Sequence, residues 1–173
     1  MGGRDAARES REPDELRLGG GLQHHHGHHT PLYATPQQQV STDYGVRYLD
    51  SVGVDPGKIV IGAAFYARVF GGVAAAKTVC TEPASSRKPL ITRISAIACR
   101  WRRASLPTGD AAAQAPYAYN ARRQEFATFD DKKSIALKTK YVRDKKLGGI
   151  MFWELTCDQP RQGLLDAMYQ AAR

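Results

Sequence analysis

The chain of 173 residues has no run of eighteen or more apolar residues, so no segment is long and apolar enough to cross a membrane as a helix. Its opening stretch, Met1 to Gly21, is charged and has no apolar h-region, so no signal peptide is read there. Cysteine is scarce. Cys80, Cys99 and Cys157 follow no metal-ligand spacing, and an odd number gives no disulfide framework, which leaves the redox compartment open. Acidic residues are nearly missing from one segment: between Lys77 and Gly109, Glu82 stands alone against seven bases (Lys77, Arg87, Lys88, Arg93, Arg100, Arg102 and Arg103). That segment carries six of the eight net positive charges, so any argument for a nucleic-acid or acidic partner rests on it alone.

What is present begins with a stretch that lacks period. Met1 to His26 alternates Arg, Asp, Glu and Gly and ends in histidines, and we expect it to be disordered. From Thr42, Tyr44, Tyr48 and Val52 with Val46 and Leu49 recur at helical spacing, and Gly53 is a stop. Asp55-Pro56-Gly57 is a turn. The β-branched, apolar run from Lys58 to Tyr66 has strand length and the composition expected when both faces are covered. After Arg68 the pattern fades until two alternating runs, Ala115 to Tyr119 and Glu125 to Phe129, which read as a hairpin around Asn120 to Gln124.

Asp130 and Asp131 then precede an amphipathic helix carrying Ser134, Ile135, Leu137, Tyr141 and Val142, with Lys145 and Lys146 at its end, as the helix dipole prefers. Gly148 and Gly149 stop it. Ile150 to Leu155 is a second buried strand, and Leu164, Leu165, Met168 and Ala171 mark a last helix. Helix, strand, antiparallel insertion, helix, strand, helix is an α/β order, a slice of a (β/α) barrel with an inserted lobe.

Three ordered stretches carry a family resemblance. Gly53 to Arg68, with its Phe65-Tyr66-x-Arg68 ending, resembles the seventh barrel strand of family 18 chitinases. Pro116 to Asp131 is similar to the end of that family's α+β insertion, and Leu147 to Leu155 to its eighth strand. Gly27 to Tyr33 resembles the loop after strand six. The resemblance implies a partial (β/α)8 TIM barrel over residues 27–173, with a small α+β insertion lobe over about 69–131. It implies a chitinase reaction: retaining hydrolysis of a β-1,4-linked N-acetylglucosamine polymer, in which one Glu protonates the leaving oxygen and the substrate's own acetamido oxygen attacks. That Glu belongs to an Asp-x-x-Asp-x-Asp-x-Glu motif on strand four, which this sequence does not contain. No catalytic residue is therefore assigned, and the expectation is a chain neither active nor well folded alone, because two or three strands leave barrel faces and edges uncovered.

By the same resemblance, Tyr66 and Arg68 contact sugar at the barrel's C-terminal face, and Trp153 floors the subsite beside the cleaved bond. The competing structural roles are a packed Tyr66, an Arg68 paired with a surface acid, and a core Trp153. The implied partner is chitin or a chito-oligosaccharide, in an extracellular setting for family members of this kind. No cofactor, metal site, nucleic acid or membrane partner is expected, and Cys157 has no base pattern that would make it a catalytic thiol. Two other readings stand beside the hydrolase one: a lectin-like product that binds chitin without cutting it, and a gene-model or pseudogene product without function.

Where the resemblance breaks, other reading frames restore it. Read one nucleotide later, the codons of Arg11 to His26 admit an unbroken run containing Met-x-Tyr-Asp, the family's strand-six pattern, directly before Gly27. Read from the third nucleotide, Lys77 to Cys80 admits Asn-Gly-Leu-Tyr, and Arg103 to Gly109 admits Gly-Phe-Thr-Pro-Tyr-Trp ahead of Asp110. The expectation is that about residues 1–26 and 78–109 are frame-shifted or mis-spliced, which would leave the basic segment, with Arg100-Trp101-Arg102-Arg103, without an evolved role.

Overall fold

The structure is a computed structural model that describes residues 27–73, 90–93 and 108–173. The expectations for residues 1–26, and for nearly all of 78–109, fall outside those residues. Helix α1, Thr42–Ser51, starts at Ser41, whose hydroxyl accepts the Tyr44 N–H, and stops before Gly53 at φ +85°, a conformation that Gly adopts without a Cβ penalty. Only Val46 on it is fully buried; Tyr44, Tyr48 and Val52 are exposed.

Strand β1, Val60–Ala64, runs parallel to β7, Gly149–Trp153, in register from Val60 opposite Gly149 to Ala64 opposite Trp153. Between them in sequence lies a five-stranded antiparallel sheet of β2 (Ala67–Gly71), β3 (Leu90–Thr92), β4 (Thr108–Asp110), β5 (Ala115–Asn120) and β6 (Glu125–Thr128). Its strand order is β3-β2-β6-β5-β4. Helix α2, Lys132–Asp144, follows β6, and α3, Leu164–Ala172, follows β7.

The expected hairpin is β5 and β6. The expected strand from Lys58 to Tyr66 is shorter: β1 occupies Val60–Ala64, the chain bends at Phe65 and Tyr66, and a separate strand, β2, sets off at Ala67 into the antiparallel sheet. Arg68 consequently belongs to β2 and not to the end of the parallel strand. β3, β4 and the end of β2 lie in the region after Arg68 where the sequence pattern fades. β3 and β4 have three residues each, too short to show alternation.

Covering of both faces of the parallel pair is also corrected. One face packs Ile59 and Ile61 with Leu32, Val46, Tyr141 and Val142, and Ala63 and Phe65 with Ile135, Leu164 and Met168. Phe65 stacks on Phe152, with ring centroids 4.6 Å apart. On the other face Val60, Met151 and Trp153 remain exposed, because strand alternation sends them away from the helices. The antiparallel sheet has its own cores, Ala67, Val69, Ala118, Ala127 and Phe129 on one hand and Phe70, Val73 and Phe126 on the other.

Candidate functional site

The C-terminal ends of β1 and β7 meet where three segments converge: the bend at Phe65 and Tyr66, the start of β2, and the loop His28 to Thr30. The Phe65 N–H donates to the Trp153 carbonyl at 2.8 Å, which extends the ladder one residue past β1 and holds the bend beside Trp153. Trp153 is 65% exposed, so it is not a core tryptophan. Its indole is left in water at the C-terminal end of β7.

Tyr66 is half-buried, and its ring packs against His29 with centroids 5.3 Å apart. Arg68 lies opposite Thr128 in the β2–β6 ladder, and the Thr128 hydroxyl accepts the His29 N–H at 3.3 Å. Thr128 thus gathers His29 and Arg68 around Tyr66. Arg68 Nε and both ring nitrogens of His29 are shielded from water and have no hydrogen-bond partner among the described residues. Burial pushes the His29 pKa down to about 3 against the pull of Asp130, with Arg68 and Lys138 adding to the drop, so the imidazole is neutral at physiological pH.

Beneath this surface sits a charge pair that the sequence reading missed. Asp130 and Lys138 are both fully buried, and Nζ reaches both carboxylate oxygens at 2.7 Å. Asp130 also accepts the Ser134 hydroxyl at 2.7 Å, the Ala64 N–H at 3.1 Å and the Thr30 hydroxyl at 3.2 Å. A buried ion pair persists only when its remaining lone pairs are satisfied in this way. The sequence did hold a signal: Lys138 lies three residues after Ile135 and four before Val142, on the apolar stripe of α2, where a lysine needs a buried acid.

The His28 side of the loop is fastened separately. His28 is buried against Tyr117 and Phe126, and its Nε2 lies 3.2 Å from Asp110 Oδ2. Burial lowers the His28 pKa, opposed by Asp110. At Asp110 burial alone would raise the pKa, but the Ala113 amide and then His28 outweigh it and the net shift is downward. Gln38 closes a ring on the His28 backbone, accepting its N–H at 3.0 Å and donating to its carbonyl at 2.6 Å. Cys157 is driven the wrong way for a nucleophile, its pKa raised by burial and by Glu154. No group of three or more His, Cys, Asp or Glu that could hold a metal occurs among the described residues.

The sequence pattern of the glycosyl hydrolases family 18 matches residues 18–158. Chitinase A1 of Niallia circulans is 31% identical over 128 residues, 65% of this chain and 17% of that protein. The probable endochitinase of Orgyia pseudotsugata multicapsid polyhedrosis virus is 31% identical over 156 residues, 85% of this chain and 28% of that protein. The chain therefore spans less than a third of these curated relatives. Among solved structures, a family 18 N-acetylglucosaminidase from Paenibacillus barengoltzii superposes with a TM-score of 0.76 at 34% identity, covering 88% of this chain and 45% of that one. With the match running over most of its length, and with an α/β arrangement shared with solved family members, this chain belongs to the glycosyl hydrolases family 18.

Proposed function

We propose that this chain is the sugar-contacting C-terminal portion of a chitinase-type barrel, with β1 and β7 as its seventh and eighth strands and the antiparallel sheet as its inserted lobe. Trp153, Tyr66 and Arg68 are the contact residues, and chitin or a chito-oligosaccharide is the ligand. The observation that carries the reading is Trp153, 65% exposed at the C-terminal end of β7 and in register with the last residue of β1. Barrel active sites lie at that end of the strands. The flat indole suits the C–H face of a pyranose, and Arg68 and Tyr66 add donors for hydroxyl or carbonyl oxygens.

Cleavage needs a carboxylic acid to protonate the glycosidic oxygen, in the family an Asp-x-x-Asp-x-Asp-x-Glu motif, and no such motif occurs in this sequence. The chain as given binds without cutting. The experiment is titration of the 173-residue chain with chitotetraose, followed by tryptophan fluorescence, alongside an assay for released chitobiose. Saturable binding without product is expected, and Trp153→Ala should weaken it about tenfold, the scale of one aromatic contact. Product released by the chain alone would overturn the division between contact and cleavage. No binding by a folded chain would overturn the contact reading itself.

A further inference from the structure

Asp130 sits at the meeting point of every segment that delivers a proposed contact residue. Its Oδ2 takes the Ala64 N–H, and Ala64 is both the register partner of Trp153 and the last strand residue before the bend that presents Tyr66. The same oxygen takes the Thr30 hydroxyl, and Thr30 follows His29, whose ring rests on Tyr66. Its Oδ1 takes Ser134 from the first turn of α2, and Lys138 from one turn further spans both oxygens. Two residues earlier in the chain, Thr128 is tied to His29 and lies opposite Arg68.

A pair placed only for stability would be a poor solution, since buried ion pairs are commonly no better than apolar residues of similar volume. What a carboxylate supplies that a methyl group cannot is several directed acceptor positions converging on one point. We propose that Asp130 is a positioning residue for the sugar-contact surface, with Lys138 as the counter-charge that keeps it ionised and fixed. It acts on Tyr66 from two sides, through the Ala64 amide behind the bend and through Thr30 and His29 beside the ring. This inference rests on the reading of Tyr66 and Trp153 as sugar contacts.

Paired substitutions separate positioning from stability. In Asp130→Asn with Lys138→Met both charges are removed and an acceptor oxygen remains for the Ala64 amide. In Asp130→Leu with Lys138→Met the site is neutral and apolar, but Ala64 and Thr30 lose their acceptor. Thermal melting of the full chain and chitotetraose titration are measured on each. The Asn/Met pair is expected to bind within about threefold of the parent, and the Leu/Met pair, though folded, about tenfold more weakly, the cost of a displaced contact residue.

A folded Leu/Met pair that binds as tightly as the parent would overturn the proposal. Should that pair not fold, Thr30→Val removes only the hydroxyl that reaches Oδ2; binding about threefold weaker is expected, and unchanged affinity overturns the proposal. Trp153→Ala is the control on the underlying reading. If Trp153→Ala weakens binding and the Asp130 and Thr30 variants do not, positioning alone fails. If the parent chain does not bind chitotetraose, the contact reading fails and positioning falls with it.

Discussion

His29 and His28 make the loop beside Tyr66 sensitive to acid. The folded pKa of each is pushed below its ordinary value, His29 to about 3. Between pH 6.5 and those lowered values the unfolded chain binds protons that the folded chain does not, so stability is complete above that window and falls as the pH drops through it. Asp110, also lowered, contributes stability that is lost only once the pH falls below its ordinary value of 3.8. The expected slope is up to about 1.4 kcal/mol per pH unit for each histidine. Urea midpoints measured from pH 7.5 to 5 should fall, and in His29→Phe the fall should be shallower. A second expectation at this scale concerns Asp131, whose carboxylate caps α2 through the Ser134 N–H at 2.7 Å while the Ser134 hydroxyl accepts the Asp131 N–H. Asp131→Ala should cost about 1 kcal/mol in urea unfolding.

Individual residues were unevenly legible. Asp131 at the head of α2 was readable, because a cap is a local event decided by residues three apart. Lys138 was not read, although it lay on the apolar stripe, because its partner is eight positions away and only a folded helix brings them together. His29 lies in the loop that carries the resemblance, but its role was not legible: its contacts are to Tyr66 and Thr128, far off in sequence.

The elements divide along the same line. Helices α1 and α2, the turn at Asp55 to Gly57 and the hairpin β5–β6 follow from short-range pattern, and all four are seen. The break after Ala64 gives no local sign because Phe65, Tyr66 and Ala67 continue the apolar run across it; what separates β1 from β2 is a choice between two sheets, made by tertiary pairing. Two adjacent glycines test how closely the elements fit. A Cβ on Gly148 would strike the Gly57 carbonyl oxygen, a backbone atom of the turn before β1, while one on Gly149 would meet nothing within 4 Å. Gly148→Ala should therefore destabilise by about 1–3 kcal/mol, and Gly149→Ala should be neutral or slightly stabilising. Paired denaturation curves of the two variants decide it, and equal effects would mean that α2, β7 and the turn are less tightly docked than they stand here.

Among the described residues, the parallel pair is finished on one side only. Val60, Met151 and Trp153 form an apolar face 55%, 49% and 65% exposed, residue by residue, beside two strand edges that no described strand pairs with. Such a surface favours association between copies in water. Val60→Lys combined with Met151→Lys should raise the concentration at which the chain sediments as a monomer, with a change in folding stability within about 0.5 kcal/mol, because neither residue is buried. An unchanged sedimentation profile would show that this face is not what brings copies together.

The pairing of β1 with β7 also sets an order of assembly. Val60 and Gly149 are 89 positions apart, whereas β5 and β6 are joined by a four-residue turn and Asp130 and Lys138 are separated by two turns of helix. Contacts close in sequence form first, and closure of a long loop waits for enough partners to offset its entropy. The hairpin and α2 can therefore be present while β7 is still unpaired. In that intermediate the Trp153 carbonyl has not met Phe65, and the junction at the ends of the two parallel strands does not yet exist. That junction, on which the proposed sugar contacts depend, is then the last part of this chain to form as it folds and the first to come apart when it begins to open.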